Sequence, residues 1–266
     1  MSSVYRDPAV AEIYRRVAVP THFVRPARDL VAMMPVGVGE RVLDVGTGTG
    51  AFATAAAEAA GPSGLVVGVD RAEAMLRASG ARGNGRRIVG ETPELPFANE
   101  AFDAVGASFV LAHCRERSSA LAAMARVCRP GGRIGISAWG PMANEAGRLW
   151  KQTVDVYVDA DQLQAALRAM IPWEEWFYEA RNLERALADA GLTAVRGVTR
   201  EYTIEISPRD YLSMKQAGVE GRLVRQLAGD ARWNSFTREI EAAFRTRFPR
   251  AITFVRDVHF GVGTSR

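Results

Sequence analysis

With 266 residues, 48% of them hydrophobic and 24% charged, the chain can bury a full core and has the composition of a soluble globular protein. Its net charge is +4, but the basic residues are scattered, and only Lys151 and Lys215 are lysine. This leaves no dense basic stripe for nucleic acid. No apolar run reaches membrane-spanning length, the polar start Met1-Ser2-Ser3 leads into no signal-peptide core, and Cys114 and Cys128 make neither a disulfide framework nor a metal motif. The expectation is a cytoplasmic protein with two reduced thiols, no metal, and no membrane or nucleic-acid partner.

Asp7-Pro8 supplies an N-cap acid and a proline at the first helical position. A helix is therefore expected through Val19, with Val10, Ile13, Tyr14 and Val17 on one face, and a second short helix over residues 26–34. The next stretch organises the chain. Val42 to Val45 is short and apolar, as in a strand buried on both faces. Gly46, Gly48 and Gly50 follow, then an alanine-rich helix over residues 51–60, stopped by Gly61. Strand, glycine turn and helix place exposed backbone N–H groups and a positive helix end at the C-terminal edge of a sheet. Asp44, just before the turn, would repel a pyrophosphate and welcome a cationic amino group.

A second strand, Leu65 to Val69, ends in Asp70, whose carboxylate is placed to take ribose hydroxyls. The run Ala72 to Ala81 reads as a helix with Met75 and Leu76 inward. A third strand, Arg86 to Val89, ends in Gly90-Glu91-Thr92, and a fourth, Ala101 to Ser108, leads into Phe109-Val110-Leu111-Ala112-His113-Cys114. A helix near 117–128, a turn at Arg129-Pro130-Gly131-Gly132 and a fifth strand, Arg133 to Ala138, complete a regular alternation. Such alternation predicts an α/β fold with a doubly wound, mostly parallel sheet and right-handed crossovers.

Residues 141–178 read as mostly helical. A helix from Leu183 to Ala190, stopped by Gly191, precedes a strand over 193–206 with Thr/Val/Tyr/Ile alternation. Residues 208–248 form a further helical elaboration, and Ile252 to Val262 a closing strand. No internal repeat or low-complexity segment is present.

Four motifs run in order over residues 37–140. They are Glu40-Arg41-Val42-Leu43-Asp44-Val45-Gly46-Thr47-Gly48-Thr49-Gly50 with Gly68-Val69-Asp70 after it, then Glu94-Leu95-Pro96-Phe97 with Phe102-Asp103, and Arg129-Pro130-Gly131-Gly132. Together they resemble the class I S-adenosylmethionine-dependent methyltransferases, in particular the small-molecule branch that includes quinone and natural-product enzymes. The resemblance implies a seven-stranded Rossmann-like sheet whose last strand lies antiparallel between the fifth and sixth. It implies one domain over 1–266, made of an N-terminal helical cap (1–36), a cofactor-binding core (37–140) and helical substrate lids (141–178 and 208–248).

The cofactor so implied is S-adenosylmethionine, with S-adenosylhomocysteine as product. Asp44, Gly46, Thr47 and Gly48 would hold its methionine part and Asp70 its ribose. Arg71 and Met75 would flank the adenine, with Glu91 and Thr92 at its amino group. The family commonly has Asp-Ala where this chain has Glu91-Thr92, so the extra methylene alters the geometry there. Ser108, Phe109 and His113 fall where substrate and transferable methyl meet. Tyr5 and Tyr14 either close the cofactor mouth or pack the cap onto the sheet, and Met75 either touches adenine or fills the core.

Methyl transfer from a sulfonium is an in-line displacement that positioning alone can accelerate greatly, by about 7–11 kcal/mol in favourable systems. His113 is the first choice as a base because imidazole titrates near neutrality. It could equally hydrogen-bond cofactor or loop backbone, and proximity alone could suffice. His259 reads as structural and His22 as part of the lid. Trp139, Trp150, Trp173, Trp176, Phe177 and Tyr178 point to an apolar or aromatic small-molecule acceptor, methylated on oxygen, nitrogen or carbon. Three other readings stand beside this one: a non-catalytic cofactor-binding module, an RNA methyltransferase, and an NAD-dependent oxidoreductase, which the G-x-G-x-G spacing and Asp44 disfavour. A homodimer is left open.

Overall fold

Seven strands make one sheet: β1 (Arg41–Val45), β2 (Leu65–Asp70), β3 (Arg86–Val89), β4 (Phe102–Ser108), β5 (Cys128–Trp139), β6 (Thr193–Ile206) and β7 (Ile252–Thr264). The computed structural model describes residues 3–79 and 85–266. The spatial order is β3-β2-β1-β4-β5-β7-β6. The first five strands pair in parallel, and β7 runs antiparallel to both β5 and β6. This is the expected mixed sheet, with the last strand inserted as the resemblance implied.

The helices in chain order are α1 (Pro8–Ile13), α2 (Val24–Met33), α3 (Ala51–Ala60), α4 (Glu73–Ala78), α5 (Arg117–Val127), α6 (Glu145–Tyr157), α7 (Ala160–Met170), α8 (Arg181–Asp189), α9 (Pro208–Ala217), α10 (Val219–Ala228) and α11 (Asp230–Arg247). Alternate strand residues feed opposite cores, as the two-residue period requires. Val42, Val66 and Ala104 pack with Leu30, Met34 and Phe52 on one face. Leu43, Val67 and Val105 pack with Leu121, Met124 and Leu187 on the other. A third core gathers Trp150, Tyr211, Phe236 and Phe244 of the later helices onto Ile204, Ile206, Ile252 and Phe254. No helix of the described residues is long and apolar enough to cross a membrane.

Three local readings need correction. The N-terminal segment is a continuous helical rod: α1 runs through a π-helical stretch, Tyr14–Phe23, into α2. Pro20 lacks an N–H and would break an α-helix. Here the wider turn absorbs it, with the Val24 N–H reaching back to the Val19 carbonyl. Arg129-Pro130-Gly131-Gly132 is a wide bulge within β5, because Phe102 and Ala104 face Cys128 and Arg133. Asp103 holds that bulge, accepting from Arg129 Nε at 2.5 Å and from the Arg41 N–H at 2.7 Å. The helix expected over 72–81 is α4, Glu73–Ala78, and its expected end at residues 80 and 81 lies outside the described residues.

Close approach of α3 to the sheet depends on a missing side chain. A Cβ built on Gly106 in β4 would lie 2.3 Å from the Phe52 ring. Gly106→Ala is therefore expected to destabilise the fold by about 1–3 kcal/mol through overpacking. Phe52→Leu in the same chain should recover part of that loss. Urea unfolding of the two single variants and the double variant checks this coupling.

Candidate active site

The strand order reverses between β1 and β4, which opens a crevice at the carboxyl ends of these strands. A cavity of about 210 Å³ lies there, and every site residue expected from the sequence lines it. Its floor is the glycine turn after β1. The Gly46 and Thr47 N–H groups donate to the Val69 carbonyl at 2.8 and 3.0 Å. Gly46 has φ +69° and Gly48 φ +54°, the left-handed region that favours glycine. A Cβ on Gly46 would lie 2.3 Å from Val110, whereas one on Gly48 would meet nothing within 4 Å. The first glycine serves packing, and the second leaves the space over the turn open to a ligand.

Two carboxylates flank this turn. Asp44, 1% exposed, accepts through Oδ2 from Thr47 Oγ1 at 2.6 Å and from the Ala53 N–H at 2.9 Å. Its Oδ1 has no hydrogen-bond partner among the described residues. Burial, with the charge of Asp70 adding, pushes its pKa up to about 7. Asp70 accepts from the Gly48 N–H and the Ala72 N–H, each at 2.8 Å, and burial raises its pKa too. At the rim the Arg71 guanidinium donates to Glu91 at 2.6 Å, so these two expected adenine neighbours form an ion pair. Thr92 Oγ1 lies 3.5 Å from Cys114 Sγ. Met75 packs with Val10 and Ala11 of the cap, as its core reading expected, and it also lines the cavity.

The opposite end of the cavity is aromatic. Phe109 has φ +59°, an outlier for so bulky a residue. Its N–H donates to the Ser137 carbonyl at 3.0 Å, and its ring stacks on Trp139 at 4.1 Å. Beside it Ser108 Oγ lies 3.1 Å from Ser137 Oγ. The N-terminal rod forms the roof through Tyr5, Tyr14, Val19 and Phe23, with Phe23 5.2 Å from the Phe109 ring. Tyr5 and Tyr14 approach each other edge to face at 5.6 Å, and Tyr5 meets the His113 ring in the same way. They both pack the cap and line the cavity. Ile171, Glu174 and Phe177, from the turn after α7, form the remaining wall.

His113 lies among these groups, but burial and the nearby Arg71 charge push its pKa down to about 4. It is thus a neutral imidazole at physiological pH, with little tendency to take up a proton. His22 lies outside the cavity lining. Thr21 Oγ1 donates to the Val17 carbonyl at 2.6 Å, so at 2.7 Å it accepts from His22 Nδ1–H. Burial pushes the pKa of His22 down to about 3. His259 is held between Thr199 Oγ1 at 2.8 Å and the Tyr178 carbonyl at 3.1 Å, a structural role as expected.

The expected aromatic wall is smaller than the sequence implied. Of that group only Trp139 and Phe177 line the cavity. Trp150 is buried against Phe236 in the third core, and Trp173 and Trp176 stack with Arg117. Residues 208–248, expected as a second lid, contribute no lining residue among those described. They pack instead on α6 and on the adjoining ends of β6 and β7. Sequence reasoning missed Val19, Phe23, Ile171 and Glu174, and gave Trp139 no specific place. Trp139 was within reach, because it ends a strand at the edge where ligands bind. The others carry no local signal.

Residues 43–136 match the family model described as a methyltransferase domain. Over that stretch, about a third of its length, the chain carries the sequence pattern of a methyltransferase domain. It is 38% identical over 148 residues to nocamycin O-methyltransferase of Saccharothrix syringae, covering 53% of this chain and 51% of that protein. It is 37% identical over 135 residues to the ubiquinone/menaquinone biosynthesis C-methyltransferase UbiE of Burkholderia mallei (strain SAVP1), covering 48% of this chain and 53% of the other. The chain thus spans about half the length of these relatives.

Among solved structures, a type II methyltransferase from Anaeromyxobacter dehalogenans superposes with a TM-score of 0.62 at 16% identity, covering 92% of this chain and 97% of that one. A methyltransferase from an antibiotic biosynthesis pathway of Anabaena variabilis ATCC 29413 gives 0.61 at 12%, covering 91% and 98%. At these identities the likeness shows the fold. The family match ends short of part of the cavity wall: Trp139 and Glu174 line the cavity and lie outside it.

The buried histidines set a pH dependence. Both fold with pKa values below the unfolded value of about 6.5, so the stability they contribute is full above about 6.5 and is lost as pH falls towards 4. Histidine-resolved NMR should show no protonation of His22 or His113 at about pH 6. Denaturant midpoints should decline between pH 6.5 and 4.

Proposed function

We propose that this chain transfers a methyl group from S-adenosylmethionine to an oxygen, nitrogen or carbon of a small apolar or aromatic molecule, releasing S-adenosylhomocysteine. One observation carries the reading: the acid–glycine–acid floor of Asp44, Gly48 and Asp70 shares a cavity with the aromatic end of Phe23, Phe109 and Trp139. The residues present fit the cofactor. The open face of Gly48 leaves room over the turn, the unpartnered Oδ1 of Asp44 suits an ammonium group, and Asp70 keeps lone pairs for ribose hydroxyls. When bound, the cofactor supplies an electrophilic methyl on a cationic sulfur.

The protein's part is then positioning. The turn and its two acids fix one partner, and the aromatic faces hold the other and exclude water. His113 stays neutral and serves as a hydrogen-bonding group beside the reacting atoms. Residues 1–36 and 141–178 close a single catalytic domain over the core, while 208–248 braces the second of these segments. A closed acceptor end favours catalysis over a purely regulatory cofactor-binding role. The enzyme acts in the cytoplasm on a small-molecule substrate, without nucleic acid.

Calorimetric titration with S-adenosylhomocysteine tests the cradle. Micromolar binding is expected, with none for NADH. Asp70→Ala should weaken binding about tenfold to a hundredfold through loss of hydrogen bonds to a charged group. No binding by the folded wild-type protein would overturn the reading.

Asp44 adds a signature. Its folded pKa, about 7, lies above the unfolded carboxylate range, so its contribution to stability is present at acid pH and is lost as pH rises through about 7. An ammonium group at Oδ1 favours the ionised form. Binding should therefore release protons and tighten as pH rises from about 6 to 8. Titrations in buffers of different ionisation enthalpy check this, and Asp44→Asn should abolish the trend.

A further inference from the structure

We propose that Glu174 is the acceptor-side anchor of the cavity: its carboxylate takes a hydrogen bond from a hydroxyl or amino group on an aromatic acceptor, and selects against anionic acceptors. This rests on the methyltransferase reading above and deepens it.

The position of Glu174 is fixed by backbone. It lies in the turn after α7, where its N–H donates to the Ile171 carbonyl at 3.3 Å and its own carbonyl accepts from the Phe177 N–H at 3.1 Å. Its side chain lines the same cavity as Asp44 and Phe109. The other cavity carboxylates, Asp44, Asp70 and Glu91, all have hydrogen-bond partners on the protein. Glu174 has none among the described residues. Ile171, Phe177 and the aromatic roof line the same cavity.

The charged and titratable groups facing it come from four directions. They are Arg256 on β7, the Lys215–Glu220 ion pair, Glu175 and Tyr178 on its own turn, and Tyr5 and Tyr14 on the cap. Among the described residues Arg256 forms no ion pair with it; the Arg256 guanidinium lies 4.0 Å from the Trp139 ring centre. Burial holds the pKa of Glu174 up, against the pull of Arg256 and Lys215. A half-buried carboxylate among aromatic faces is costly unless a donor reaches it. A flat molecule between those faces with one O–H or N–H at its edge provides such a donor. An anion at the same place meets repulsion.

The test uses the protein loaded with S-adenosylhomocysteine at about pH 8, where a phenol is neutral and an aryl carboxylate is not. Binding of 2-naphthol, 2-methoxynaphthalene and 2-naphthoate is followed by calorimetry in wild type and in Glu174→Gln. Wild type should bind 2-naphthol at least about tenfold more tightly than either other probe. Glu174→Gln should tighten 2-naphthoate and reduce the naphthol-to-naphthoate preference about tenfold or more.

An unchanged preference in the variant, or no preference in wild type, overturns the assignment to Glu174. The preceding titration with S-adenosylhomocysteine separates the two claims. Equal binding by both proteins shows an intact cradle, so a failure with the naphthalene probes then concerns Glu174 alone. Absence of that binding in wild type removes the reading on which the proposal stands.

Discussion

The buried carboxylate of Asp44 is the constraint on which the site depends. It sits on β1, holds the glycine turn through Thr47, and caps α3 through the Ala53 N–H. Burying a charge in a sheet costs several kcal/mol unless hydrogen bonds and local fields offset it. The offset here is one hydroxyl, one N–H and the positive end of α3. These are insufficient to keep the group fully ionised, since its pKa rests at about 7. The protein thus carries an acid poised between charged and neutral forms beside an open glycine face. The same residue thus ties the fold of the turn to the electrostatics of the cavity floor.

Small residues in the strands make that arrangement physically accessible. A Cβ on Gly68 of β2 would lie 2.8 Å from Thr47 Oγ1, so Thr47 can reach Asp44 only because β2 has no side chain there. Gly106 of β4 does the same for the Phe52 ring of α3. Asp70 completes the geometry from the far side by accepting from the Gly48 N–H. The turn is held between two acids, and each acid is held by backbone that the turn itself positions. Substituting Gly68 would displace Thr47, and through it disturb Asp44.

The sheet and this polar floor were legible in the sequence because their signals are local. Val42 to Val45, Leu65 to Val69 and Arg86 to Val89 are short runs ended by glycine or acid, and they became β1, β2 and β3 within a residue at each end. Asp44 and Asp70 could be singled out because each lies within the last two residues of a strand, at the edge where ligands bind. The helical rod was misread because Pro20 is a local breaker, and the wide turn that absorbs it has no sequence signature. The tryptophans were misjudged for a related reason. Trp150 and Trp176 meet partners distant in sequence, Phe236 and Arg117, and nothing near them distinguishes a core tryptophan from a pocket one. Glu174 is the clearest case. It sits in an aromatic, acidic stretch, and only its missing hydrogen-bond partner sets it apart from Glu175, which pairs with Arg168.

The cavity therefore has two ends encoded in different ways. The polar end is written within residues 44–92, in contacts that the strand–turn–helix units bring about by themselves. The aromatic end draws Phe23 from the rod, Phe109 and Trp139 from the ends of β4 and β5, and Phe177 from the turn after α7. It exists only once the rod and that turn have docked. The strained backbone of Phe109 lies at the junction, its N–H tied to Ser137 on β5 while its ring meets both Trp139 and Phe23. Such strain persists only where surrounding contacts determine it. The aromatic end is consequently built in part from residues 14–23 and 171–177, on elements separate from those that carry Asp44, Gly48 and Asp70.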